Sequence, residues 1–339
     1  MKNAFILFFV YIIISCQKKE IEKIEVVELV PSNSISQLDT LFFTNVTIFS
    51  DKDHVYFLSH SPAFLAATDK ELNLLKVSAD RGAGPNEFSF PTQGMAYDGV
   101  VYIVDQGNQS IKRFDADKVK FLSSTKIPEQ IFDFKISVDE QENVYYPIFS
   151  PFDENVVLKV NKDGKQIDRF KSSFPGNSRI GENRQVKHFQ LDEKGNFIIV
   201  GASLPYVELL NSSGESITTF NIGDVEPIRL ALDSLENDLI RSPVSKSNIP
   251  MVIMGVQYDK GKLYMSFVDR VGYDRSKARN LLVFNIDETK CQLEKIYKFK
   301  TGNEDDGYHP SNFHVDSDAG KLYTQGLSSK QIFVFDLPA

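Results

Sequence analysis

Three side chains able to hold a proton or a ligand recur at one step of a repeated segment. Lys135, His188 and His314 each lie four residues before an acid (Asp139, Asp192 and Asp318), and Gly94 and Gly255 take that place before Asp98 and Asp259. Two residues before the same acids stand Ala96, Ser137, Gln190, Gln257 and Asp316. The positions one and three before them are mainly apolar, as at Tyr97, Leu191, Ile136 and Val256. Successive side chains of a strand point to opposite faces, so the small and polar set is expected on one face and the apolar set on the other. A layer of Lys135, His188 and His314 has two chemistries open to it. It could hold an anionic ligand, or His188 and His314 could share a metal with Gln190 or Asp316. A third reading is structural, with these groups hydrogen-bonded and in contact with channel water. The ammonium of Lys135 repels a divalent cation in the same layer. Asp133, Asn312 and Asp316 are the further candidates for a metal-dependent site, and the alignment brings no fuller set together. No metal ligand is therefore assigned.

The signatures of common catalytic sites are absent: there is no HExxH, CxxC, Gly-x-Ser-x-Gly or EF-hand loop. No catalytic residue is assigned and no cofactor is implied.

The elements that position these residues follow from internal repetition. An alternating strand runs into an acid, a tight Gly or Asn turn and then an aromatic-rich strand. This unit is clear at Asp98–Ile103, Glu140–Tyr146, Asp192–Ile199, Asp259–Tyr264 and Asp318–Tyr323, with a degraded copy at Asp51–Phe57. Each is a β-hairpin: Asp and Asn satisfy local backbone groups, Gly accepts positive φ, and aromatic or β-branched residues fill the flanking strands. A third and a fourth strand follow, as at Ser110–Asp115, Val156–Val160, Tyr206–Leu210 and Leu281–Asn285. Four strands per unit, at spacings of about 43 to 66 residues, describe an all-β, six-bladed β-propeller of four-stranded antiparallel blades. The last unit stops at Ala339 after three strands. An N-terminal strand, Lys23 to Val30 or Leu41 to Phe49, is expected to close it. Between units four and five, Ile228, Leu232, Leu235 and Leu239 recur at helical spacing behind Pro227. They predict one helical insertion, read as a rim connector or as a lid over the channel. The charged stretch Asp269 to Arg279 reads as a solvated loop.

The N-terminus carries an address. After Lys2, the apolar run Ala4 to Ile14 is too short, at about 1.5 Å per helical residue, for a hydrocarbon core of about 30 Å, and reads as a secretory signal. Ile13-Ile14-Ser15-Cys16 resembles the lipobox of bacterial lipoproteins, which implies that Cys16 is acylated. Cys16-Gln17-Lys18-Lys19-Glu20 is similar to the charged tag that sends some Bacteroidetes lipoproteins to the cell surface. The expected organisation is a signal peptide over 1–16, a tether and possible closing strand over 17–33, and the propeller over 34–339. With Cys16 lipidated, Cys291 is left with no partner cysteine and is expected as a buried or half-buried thiol. A net charge of −8 disfavours nucleic acid and broad adhesion to anionic lipid. Membrane contact is expected through the lipid anchor alone.

Asp80-Arg81-Gly82-Ala83-Gly84-Pro85-Asn86-Glu87-Phe88 and Asp105-Gln106-Gly107-Asn108-Gln109-Ser110-Ile111-Lys112-Arg113-Phe114 resemble the junction and the inter-strand segment of NHL-type propellers. The first of them is closer still to the six-bladed β-propeller lipoproteins of Bacteroidetes, which are NHL/TolB-like. The resemblance implies a fold and an exported, outer-membrane-anchored location, periplasmic or at the cell surface. The glycines themselves also read as structural, permitting a tight crossing between blades. The leading functional expectation is a non-enzymatic binding or scaffolding module for an envelope protein or a small ligand. The alternatives are a small-ligand or anion sensor using the channel, and a metal-assisted lyase or lactonase.

Overall fold

The computed structural model describes residues 24–78, 81–128, 135–148, 155–172, 187–241, 251–267, 279–300 and 307–338. Cys16, Asp80, Asp133 and most of the stretch 269–279 lie outside them. Six blades of four antiparallel strands follow one another along the chain, one of them carrying an added fifth strand. Their innermost strands are Val46–Ser50, Pro91–Tyr97, Ser137–Val138, Lys187–Leu191, Ile253–Asp259 and Tyr308–Asp316, in blades one to six. The chain is a six-bladed β-propeller.

Period-two alternation builds the core. In blade one, Val55 and Phe57 of the second strand pack toward blade six, while Tyr56 and Leu58 pack toward blade two. Blade four repeats this, with Ile198 and Val200 facing blade five and Phe197 and Ile199 facing blade three. The second strands are therefore buried on both faces, which explains their unbroken runs of aromatic and branched residues. Six such clusters, one at each interface between neighbouring blades, form the hydrophobic core. The outermost strands face water and alternate accordingly, as in Lys120–Lys126.

The hairpins use two turn chemistries. Two-residue turns at Asp98-Gly99 and Lys260-Gly261 place both residues at positive φ, with Tyr97 opposite Val100 and Asp259 opposite Lys262, the geometry that right-handed strand twist favours. Elsewhere an Asp or Asn cap folds a longer turn. Asp192 Oδ1 accepts from the Lys194 and Asn196 amides at 2.8 Å each. Asp51, Asp139, Asn161 and Asn211 do the same in their own turns.

Closure differs from the expectation. The fourth strand of blade six is Asn33–Ile35, antiparallel to Ile332–Asp336. Neither expected segment takes that place. Glu25–Leu29 pairs in parallel with Cys291–Phe299 and makes a fifth strand on blade five. Leu41–Phe42 forms a small hairpin with Gln37–Leu38, and Val46–Ser50 is the innermost strand of blade one. Among the described residues strand pairing begins at Glu25, inside the span read as a tether and possible closing strand.

The helix Glu226–Arg241 lies between blades four and five as expected. Ile228 and Ala231 are buried in the core shared by those blades, with Leu232 packed against it. Its described side chains pack on that core and line neither cavity of the channel. Cys291 is half-buried in blade five, and burial pushes its thiol up to about 12.

The loop Arg81–Phe88 wraps a buried ammonium. Lys112 Nζ donates to the carbonyls of Gly84 (2.9 Å), Pro85 (3.1 Å) and Glu87, and lies 3.4 Å from the Asp105 carboxylate. Asp105 in turn accepts from the Ser89 and Phe90 amides and from the Asn108 side chain. The glycines leave room for this arrangement: a Cβ on Gly82 would stand 2.0 Å from Glu87 Oε2. The junction is structural.

Candidate functional site

The innermost strands of all six blades enclose a cavity of about 360 Å³. Its mouth lies on the face of the hairpin turns, since the exposed turn residues Glu193 and Lys260 line it. Its floor is Lys135, which also lines a second pocket of about 20 Å³ deeper in the channel, together with Gln190 and His188.

Lys135 enters from blade three and reaches across to the far wall. Its Nζ donates to Gln257 Oε1 at 2.8 Å and to the Phe313 carbonyl at 3.4 Å, and sits 4.9 Å from the centre of the Phe313 ring. Burial holds the ammonium down to about 7, with Asp259 partly opposing the shift. Gln257 is itself fixed, donating to the Val315 carbonyl at 2.6 Å and accepting from the Val315 amide at 3.0 Å.

The histidines are committed to internal bonds. His188 Nε2 donates to the Ile253 carbonyl at 3.0 Å, and burial pulls the ring down to about 4. His314 Nε2 lies 2.8 Å from Ser50 Oγ, whose hydroxyl faces Asp316 Oδ2 at 3.0 Å. A hydroxyl has one proton to donate, so Ser50 gives it to the carboxylate and accepts from His314. Burial, followed by the Lys135 charge, keeps His314 far below its ordinary value. Asp316 also accepts from Lys70 at 2.5 Å, and hydrogen bonds from Lys70, Ala319 and Ser50 hold its carboxyl low against burial.

The residues singled out from the sequence are thus only partly brought together. Lys135, Gln190 and His314 line the outer cavity, and His188 lines only the deeper pocket. Asp316 is buried and turned to Ser50 and Lys70. Asn312 donates to Asn45 Oδ1 at 2.6 Å. Gly94 gives room to a neighbour, since a Cβ there would stand 2.3 Å from the Phe49 ring. Among the described residues, no three His, Cys, Asp or Glu side chains converge as metal ligands would.

The apolar set does not only pack between blades. Met95, Ile136, Leu191 and Tyr258 also form cavity wall. Sequence reasoning missed the Tyr258 hydroxyl, which donates to Glu193 Oε2 at 2.6 Å on the rim. It also missed Lys70 and Ser50, whose distance from Asp316 along the chain leaves no local signal. The Glu193–Tyr258 pair stands between the cavity and a groove of about 420 Å³, where Asp287 and Glu288 add further acids.

No family model and no curated protein matches this sequence. Solved structures do match its shape. A Bacteroides fragilis protein named as exported on inference shares 12% identity over 91% of this chain and 98% of its own, with a TM-score of 0.57. A streptogramin B lyase shares 10% identity over 90% and 97%, with a TM-score of 0.52. The Cps50 (Swd1) β-propeller domain of Myceliophthora thermophila shares 10% over 91% and 100%, with a TM-score of 0.51. At such identities the likeness is one of fold, and that fold is the β-propeller.

Proposed function

We propose that this protein is an exported, lipid-anchored propeller of the NHL-like type that acts as a non-enzymatic binding module of the cell envelope, with the open end of its channel as the binding site. The carrying observation is the state of the polar groups inside. Both histidines are neutral and bonded to fixed partners, Gln257 is locked by backbone groups, and a walled cavity remains above them. Such a floor is rigid and shaped for recognition. Among the described residues the hydroxyl nearest a base is Ser50, 2.8 Å from His314 Nε2, but its proton goes to Asp316 and it accepts from the ring, so His314 does not activate it as a base would. The inferred export of the Bacteroides fragilis neighbour parallels the reading of Cys16 as a lipid attachment site.

Thermal melts of the chain from Gln17 onward, against a panel of small metabolites and envelope fragments, test the binding role. A ligand that raises the melting temperature of this chain and loses its effect on Tyr258→Ala is the expected result. Turnover of a panel compound, abolished by the same change, would replace binding with catalysis.

A further inference from the structure

The channel cavity has three chemically distinct zones. Its floor presents the Lys135 ammonium, which among the described residues donates to uncharged oxygens of Gln257 and Phe313. Among the described residues no carboxylate lies within ion-pair distance of it. Its walls carry apolar patches from Phe49, Met95, Ile136 and Leu191, set among the polar Thr47, Ser50, Ser137 and Gln190. Its rim on the side of blades four and five carries Asp192, Glu193 and Asp259 with Lys260 at the mouth, and Asp287 and Glu288 with Lys194 in the adjoining groove. Lys260 pairs with Asp318 and Lys194 with Glu288, which leaves the mouth acids in excess.

Each zone keeps capacity for a ligand. In its protonated form Lys135 has three protons and contacts only neutral oxygens among the described residues, and a ligand carboxylate beside it would favour that form and accept a charge-assisted bond. Glu193 is exposed and accepts one hydrogen bond, from Tyr258. A free anion would be drawn to the floor and repelled by the rim. A cation would be held at the rim and repelled by the floor. A molecule carrying both charges, separated by an apolar body, satisfies all three zones.

Resting on the binding role above, we propose that the channel cavity takes a short zwitterionic peptide, with its terminal carboxylate on Lys135 and its ammonium on the Glu193 and Asp259 side of the rim. A dipeptide with one aromatic side chain suits a cavity of about 360 Å³, at the small end of ligand pockets.

Calorimetric titration of the chain from Gln17 onward with glycyl-tyrosine, its C-terminal amide and its N-acetyl derivative tests the assignment. The free dipeptide is expected to bind, and each blocked derivative to bind at least about tenfold more weakly. Lys135→Met should erase the preference for a free carboxylate. Glu193→Gln, an exposed change that leaves folding intact, should weaken only the preference for a free ammonium. Equal binding of all three probes would overturn the charge assignment while leaving the cavity as a binding site. No binding of any probe at millimolar concentration would overturn the peptide assignment alone, because the metabolite panel tests the binding role separately.

Discussion

Lys135 has a depressed proton affinity because the channel removes its water, and Asp259 restores only part of the loss. His188 and His314 face it as neutral rings whose own values its charge helps to lower. The sign of the stability effect follows. The folded value of about 7 lies below the ordinary 10.5, so between them the unfolded chain binds more protons and stability rises with pH. The cost of holding an ammonium in the channel is fully present below about pH 7 and gone above about pH 10.5. Lys135→Met removes that cost together with the bond to Gln257. Its melting temperature relative to the parent should therefore be most favourable near pH 6 and decline steadily toward pH 10. Melts across that range check it, and a difference that stays flat or grows with pH would contradict the burial argument.

At the scale of the element, the loop Arg81–Phe88 depends on one buried pair. Lys112 and Asp105 are 2% and 0% exposed, and their remaining bonds go to the loop carbonyls, to the Ser89 and Phe90 amides and to the Asn108 side chain. Lys112→Met would leave Asp105 buried without its cation and the carbonyls of Gly84 and Pro85 without their donor. Breaking a buried pair in this way costs about 3–5 kcal/mol. Urea unfolding should show that loss, and the double change with Asp105→Asn should cost less than the two single changes added together. The elements themselves were legible because their signals are local. The alternation of Val55–Leu58 and the caps at Asp139 and Asp192 lie within a few residues of the atoms they organise. The site was less legible because the acid used as a ruler is not one structural position. Asp139 and Asp192 open their turns, Asp259 is the last strand residue, and Asp318 lies two residues past the strand end at Asp316. His314 therefore faces the outer cavity while His188 faces the deeper pocket. The bonds joining Ser50 to His314 and Gln257 to Val315 run between blades, across sequence distances that no local pattern records.

At the scale of the whole molecule, stability is a ring property, since every core cluster belongs to two blades. The ring is closed by Asn33–Ile35, a strand of three residues that pairs with Ile332–Asp336 and brings the Ser32 amide to the Val334 carbonyl at 2.8 Å. The strand it covers is unlike the other blade edges. Lys120–Lys126 carries charged and polar residues outward and tolerates water, whereas Ile332 and Val334 are 0% and 4% exposed. Removing the N-terminus in two steps separates these roles. A chain beginning at Pro31 loses Glu25–Leu29 and the buried Leu29, a cost of about 2 kcal/mol, but retains a four-stranded blade five, and it should melt cooperatively as a monomer. A chain beginning at Gln37 also loses the closing strand, whose few ladder bonds contribute about 1 kcal/mol each. It leaves an apolar edge unpaired, an invitation to pair with another chain. It should unfold at clearly lower urea and self-associate on size-exclusion chromatography. If it eluted as a monomer with the stability of the Pro31 chain, the six inter-blade cores alone would hold the ring, and Asn33–Ile35 would be only a covering strand.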